Sequence, residues 1–199
     1  MGRVAKNESV QIDRLKLGPF DTNSYIVTCP LTGDSVLVDA PAEASEILKA
    51  SKGTNPRYIL ITHNHMDHIG ALSELKSRLK IPIGAHRLDA KGLPLRPEIL
   101  LEDGEKVSFG KISLKVLHTP GHTQGSACFY CEDEQIVFVG DTLFAGSVGR
   151  TDFPEGSMTK LIKSIKEKLL VLPDETAAYP GHGPETTIGR EKRFNQFLQ

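Results

Sequence analysis

Thr62-His63-Asn64-His65-Met66-Asp67-His68-Ile69-Gly70 is the stretch on which the reading of this chain turns. Three imidazoles and one carboxylate fall between His63 and His68, although the whole chain has only 7 histidines. Neutral imidazole and carboxylate are the donors that borderline divalent ions prefer. Four such groups exceed what one open catalytic ion usually takes from a single segment, so the stretch points to two ions. The residues just before it, 58–61 (Tyr-Ile-Leu-Ile), read as a buried strand. The residues just after it, 70–80, set Leu72, Leu75 and Leu79 at helical spacing.

The same strand-then-ligand pattern recurs further along. Residues 112–117 read as a strand that leads to His118-Thr119-Pro120-Gly121-His122. Residues 135–139 lead to Gly140-Asp141, and residues 176–179 lead to Pro180-Gly181-His182. Four strands thus end in turns that deliver a His or an Asp. In layered α/β proteins binding groups collect at the carboxyl ends of strands, on loops held by a rigid sheet. The convergence predicts one centre built from His63, His65, Asp67, His68, His122, Asp141 and His182. In an extended turn, residues two apart point the same way, so His63 and His65 can share one ion. Asp67 and His68, where the chain turns into a helix, can face a second.

The remaining elements fill out the fold. Residues 9–17, 24–29, 35–38 and 81–85 join 58–61 as strands of a first half, with helices over 42–51 and 70–80. Residues 106–109 and 127–131 join the strands of a second half, with helices over 158–170 and 185–197. The order strands–helix–strand–helix, given twice, predicts an α/β protein of two sheets back to back with helices outside: a four-layer αββα sandwich. The 199 residues suit a single domain, 1–199, with no internal linker.

Bulk composition narrows the function classes. The chain is 39% hydrophobic and 25% charged, with net charge −1. That gives no electrostatic case for nucleic acid or a membrane surface. No apolar run approaches the ~20 residues of a membrane span. Residues 1–11 are polar and lack a signal-peptide core. Three cysteines, Cys29, Cys128 and Cys131, fit a reducing cytoplasm better than a disulfide framework. Cys128 and Cys131 match C-x-x-C, but residues three apart on a strand face opposite ways, so they read as structural.

Taken with their spacing, the motifs Thr-His-Asn-His-Met-Asp-His-Ile-Gly (62–70), Thr-Pro-Gly-His-Thr (119–123), Gly-Asp-Thr-Leu-Phe (140–144) and Tyr-Pro-Gly-His-Gly (179–183) resemble the metallo-β-lactamase superfamily. The resemblance covers nearly the whole chain. It implies a first ion held by His63, His65 and His122, a second held by Asp67, His68 and His182, and Asp141 bridging them. It also implies the αββα fold. The form of 140–144 and the segment Leu-Gly-Pro-Phe-Asp-Thr-Asn-Ser-Tyr (17–25) look like the glyoxalase II branch. True β-lactamases usually lack an aspartate at the bridging position, so the resemblance disfavours antibiotic hydrolysis. Full-length glyoxalase II carries a C-terminal helical domain that grips glutathione; only 17 residues follow His182 here, so that domain is expected to be missing.

The expected activity is that of a metal-dependent hydrolase. Two divalent ions per chain, Zn first with Fe or Mn also suited, would share a bridging hydroxide. That hydroxide would attack a small-molecule thioester or ester, with an S-2-hydroxyacylglutathione foremost, and Asp67 would orient it. A mononuclear iron dioxygenase acting on glutathione persulfide is the competing branch, using His63, His122 and Asp141. The run Gly149-Arg150-Thr151-Asp152-Phe153 resembles that branch. A lactonase or aryl esterase on the same scaffold is a third reading. A nonenzymatic protein would require a vestigial ligand set, and no ligand position is missing.

Other residues admit two readings each. Arg150 can bind a substrate carboxylate, or pair with Asp152 or Glu155. Tyr25 and Phe144 can wall the pocket or pack in the core. Asp39, at the end of strand 35–38, can orient a ligand or cap a turn. His118 reads as structural and His86 as a surface residue at the start of a helix-like stretch. Arg190, Lys192 and Arg193 read as a charged helix face.

Overall fold

The structure, a computed structural model, describes residues 2–199. Its first sheet has seven strands in chain order: β1 (Gly2–Lys6), β2 (Gln11–Leu17), β3 (Thr22–Thr28), β4 (Asp34–Val38), β5 (Asn55–Ile61), β6 (Ile83–His86) and β7 (Ile99–Leu101). β1 to β4 pair antiparallel, and β4 to β7 pair parallel. Parallel neighbours need crossovers. These carry α1 (Ala44–Ala50) between β4 and β5, then α2 (Met66–Ile69) and α3 (Leu72–Leu79) between β5 and β6.

The second sheet uses β8 (Lys106–Phe109), β9 (Ile112–His118), β10 (Ala127–Cys131) and β11 (Ile136–Gly140). A small hairpin of β12 (Leu143–Phe144) and β13 (Ser147–Val148) stands apart. α4 (Met158–Ser164) continues through a wider π turn, Ile165–Leu169, before β14 (Ala177–Pro180), β15 (Thr186–Thr187) and α5 (Ile188–Phe194). The strand order is β15-β14-β11-β10-β9-β8, and β14 lies parallel to β11 because α4 crosses over between them.

Three apolar layers hold this together. Between the sheets, Ile12, Val27, Val38 and Leu60 meet Leu114, Val116, Phe129 and Phe138. Outside the first sheet, Ile47 of α1 and Leu72 and Leu75 of α3 cover Leu37, Ile59 and Ile61. Outside the second, Leu161, Ile165 and Leu169 cover Val137 and Val139. Their four-residue spacing makes the apolar stripe read from the sequence. Ser157 caps α4 by accepting from the Lys160 N–H. The architecture is therefore the expected αββα sandwich, helices outside and sheets within. Cys128 and Cys131 face opposite sides of β10, as alternation requires: Cys128 lies in the outer layer and Cys131 between the sheets.

Several details depart from the sequence reading. The polar N-terminus forms β1, pairing with β2 and placing the Arg3 guanidinium 3.0 Å from Asp13. β7 and the β12–β13 hairpin were not expected, being only two or three residues long. His86 is not a surface residue opening a helix. It ends β6, is 3% exposed, and stacks on His118 with ring centroids 3.9 Å apart.

Candidate metal centre

The centre lies where the carboxyl ends of the two sheets meet. After β5 the chain stays extended through His63 and His65, then tightens at once into α2, which carries Asp67 and His68. β9, β11 and β14 deliver His122, Asp141 and His182 from the other sheet. All seven side chains singled out by strand-end position come together. Their donor atoms form three groups, each within 4.8 Å: His63, His65 and His122; His63, His68 and Asp141; Asp67, His68 and His182.

Close approach of backbone shapes the site. Gly140 takes φ 48°, a left-handed conformation that lets β11 turn away at Asp141, and it packs against Thr62. Gly181 lies so near Asp141 and His68 that a side chain there would overlap both.

The outer nitrogens of the imidazoles are committed, which fixes what the inner ones can do. Nδ1–H of His122 donates to the Arg150 carbonyl at 2.7 Å. Nδ1–H of His68 donates to Asp39 Oδ2 at 2.8 Å, and that of His182 to the Phe20 carbonyl at 3.2 Å. Thr62 Oγ1 donates to Asp39 Oδ2 and so receives Nδ1–H of His63 at 3.0 Å. These assignments follow from the acceptors. In their neutral forms these rings aim their Nε2 lone pairs inward, at each other. His63 and His122 bring Nε2 to 3.2 Å, and His68 and His182 to 3.4 Å.

Facing lone pairs repel unless a cation lies between them. Two donors at ~2.0–2.1 Å from one tetrahedral ion are about 3.3–3.4 Å apart, so the observed spacing suits such an ion. Asp141 faces both groups. Its Oδ1 is 3.3 Å from His68 Nε2, and its Oδ2 is 3.5 Å from both His122 Nε2 and His182 Nε2. Oδ1 is buried without a hydrogen bond, as a lone pair kept for an ion would be. The donor set can hold metal.

Charge divides the centre. Burial first, then the neighbouring His68, push the pKa of His63 well below its ordinary value. Burial and His122 push that of His65 down to about 4. At His68 burial opposes the charge, but Asp141 and Asp39 outweigh it and raise the pKa well above normal. At His182 burial is likewise outweighed, by Asp67 and Asp141. At Asp67 burial is overcome by the His182 hydrogen bond and the charge of His68, so its carboxyl is held below the usual range.

Asp39, given two readings, bonds a ligand ring and the loop before His63. It is 1% exposed, and its carboxylate accepts from the Thr62 N–H, the Thr62 hydroxyl and His68 Nδ1. Tyr25 does not wall the pocket, and that reading is corrected: it is buried between the sheets against Phe138 and Tyr179. Its hydroxyl donates to the Pro180 carbonyl at 2.7 Å. Asn23 adds its own N–H to the Gly181 carbonyl and its amide to Pro180 and Gly183. The segment 17–25 therefore clamps the loop that carries His182. Phe144 sits on the rim, its ring 6.1 Å from that of His182. Arg150 is exposed and paired with Asp152 through two contacts of 2.9 and 3.0 Å, while its guanidinium covers the Phe153 ring. Phe153 in turn meets the edge of His65.

Sequence reading missed Thr22, whose hydroxyl donates to Asp67 Oδ2 at 3.3 Å, and the buried Asp89. Asp89 follows β6, so the strand-end rule applied to one more strand would have found it. A cleft of about 200 Å³ bounded by Pro19, Phe20, Met66 and Asp67 opens beside the second half of the centre. A groove of about 800 Å³ lies over β2 and α1 and holds none of the seven donors.

Two sheets packed face to face, with a seven-donor pocket at one end, define an αββα sandwich with a metal-competent centre. The chain belongs to the metallo-beta-lactamase superfamily, whose model matches residues 17–182. It is 36% identical over 185 residues to the hydroxyacylglutathione hydrolase GloC of Haemophilus influenzae, covering 83% of this chain and 87% of that one. It is similar to the crystal structure of TTHA1623 in a di-iron-bound form, with TM-score 0.82, 40% identity and 94% and 100% of the two chains covered. It is also similar to the BLEG-1 B3 metallo-beta-lactamase, with TM-score 0.88, 34% identity and 94% and 99% covered.

Proposed function

We propose that this chain is a dinuclear metallohydrolase that cleaves small acyl thioesters, with S-2-hydroxyacylglutathione the first candidate. The observation that carries the reading is the arrangement of Asp141 between two trios whose ring lone pairs face inward. His63, His65 and His122 would hold one ion, and Asp67, His68 and His182 the other, with Asp141 shared. When bound, two divalent ions supply Lewis acidity and lower the pKa of a water towards ~7. Zinc suits these donors, as do iron and manganese.

The chain's own groups then set the geometry of attack. Asp67 is held ionised, and its Oδ2, supported by the Thr22 hydroxyl, can accept a hydrogen bond from the attacking water and orient it. Water adds to the thioester carbonyl carbon, the C–S bond breaks, and the products are a carboxylic acid and a thiol. Phe144 offers an apolar wall beside His182. Arg150 would receive a substrate carboxylate; its exposed pair with Asp152 is weak and can exchange partners. The buried free thiols Cys29, Cys128 and Cys131 support a cytoplasmic setting. Among the described residues no helix is long and apolar enough to cross a membrane.

The likeness to GloC and the aspartate at position 141 favour the thioesterase reading over β-lactam hydrolysis. Metal quantification on protein purified without added metal, run beside an S-lactoylglutathione hydrolysis assay, tests it. Two ions per chain and oxygen-independent thiol release are expected. One iron per chain with oxygen uptake on glutathione persulfide would replace this reading with the dioxygenase one. Turnover of a β-lactam, lactone or aryl ester in place of the thioester would overturn the substrate.

A further inference from the structure

Asp89 lies outside every motif of the centre, yet it is 1% exposed and its carboxylate has three donors. Oδ2 accepts from the Asn64 N–H at 3.0 Å and the Thr123 hydroxyl at 2.7 Å. Oδ1 accepts from the Gly125 N–H at 2.6 Å. Asn64 stands between His63 and His65. Thr123 follows His122. One carboxylate from the loop after β6 therefore ties the two loops that carry the first trio. Gly125 leaves room for this: a side chain there would overlap Asp89. Thr123 is braced again, its N–H donating to Ser126 Oγ at 3.0 Å. None of these contacts reaches Asp67, His68 or His182. Asp39 bonds His68 of the other half directly, and reaches His63 only through Thr62.

We infer that Asp89 is a positioning residue for the His63–His65–His122 half of the centre, setting the distance between its two loops and thereby the affinity of that half for a divalent ion. The inference rests on the dinuclear reading above. Its physical basis is directional. Backbone N–H groups cannot turn away, so both carboxylate oxygens are needed as acceptors. An asparagine keeps the volume but places an NH2 against one of the two N–H donors. Outer partners of metal ligands typically change affinity 10–100-fold when altered.

The test uses the full chain, stripped of metal and titrated with Co²⁺ against a competing chelator, with visible absorption following each equivalent. Wild type is expected to bind two equivalents. Asp89→Asn is expected to weaken one equivalent by about 10–100-fold and leave the other within about threefold. Asp39→Asn, which touches His68 directly and His63 through Thr62, is expected to weaken both, the other one more. Thr123→Val removes the hydroxyl's contacts to Asp89 and Ser126 and keeps shape and the backbone bonds, so it guards against loss of folding in Asp89→Asn. It should weaken the same equivalent as Asp89→Asn, by less. Equal weakening of both equivalents in Asp89→Asn or in Thr123→Val would mark a merely structural role and overturn the inference. Two equivalents bound with wild-type affinity by both variants would also overturn it, while leaving the dinuclear reading intact. A wild-type chain that takes up no Co²⁺ would overturn both.

Discussion

The two halves of the centre are built from the same kind of ring but sit in opposite electrostatic settings. His63, His65 and His122 form a trio with no carboxylate of its own, and burial keeps His63 and His65 neutral. Asp67, His68 and His182 include a carboxylate and lean on Asp39 and Asp141, so both imidazoles favour a proton. His63 and His65 therefore offer free lone pairs near neutral pH. The second half must release protons before it can take an ion. The difference teaches that, on the dinuclear reading, two sites with almost the same donors need not load alike.

Asp141→Ala should break the comparison outright, because it removes what the halves share. Metal content is expected to fall below one ion per chain, and thioesterase kcat/KM to drop more than about 100-fold, beyond the usual effect of an outer partner. Elemental analysis and kinetics on one preparation check both; full activity would end the mechanism. Asp39→Ala should act unequally. It strips three donors of their acceptor, at a cost of about 1–3 kcal/mol in stability for each group left unpaired. Urea denaturation of the metal-free protein measures that.

Acidity should separate the halves without mutation. His68 and His182 have raised values, so protons compete with metal there first as pH falls; His65 resists until about 4. Dialysis at stepwise lower pH is expected to release one ion well before the second. Simultaneous release would refute the contrast. The smallest effect concerns a group outside the centre. Burial, with His118 and Arg87, lowers His86 to about 4. The unfolded chain takes up this proton near 6.5, so stability should decline as pH drops from 6.5 towards 4. His86→Phe should flatten this part of the profile by a few degrees in Tm, leaving the slope that belongs to the centre.

Most of the fold was readable because periodicity survives where elements are long and half-buried. The stripe Leu161, Ile165 and Leu169 announced its helix, and four strand ends announced the donors. β7 and the β12–β13 hairpin carry two or three residues each, too few for a period to register. Tyr25 was ambiguous for a different reason: a ring with a hydroxyl suits a pocket wall or a core with one acceptor, and only the fold supplies the Pro180 carbonyl. His86 misled because the polar and charged residues around it outweighed the stacking partner, His118, that comes from another strand. Asp89 follows a strand end as the ligands do, but what it holds was not legible, since its three donors lie far along the chain in either direction.

The placement of the donors on two sheets sets an order of events. His63, His65, Asp67 and His68 hang from the first sheet; His122, Asp141 and His182 hang from the second. The last of them arrives on β14, roughly 120 residues after the first, and closing loops of that length is slow. Neither trio with its bridge is complete until the sheets have docked, because each draws on both. A newly made chain is thus expected to collapse and pair its strands first and to acquire ions afterwards. Its maturation would be gated by metal supply to a finished fold rather than by metal-nucleated folding.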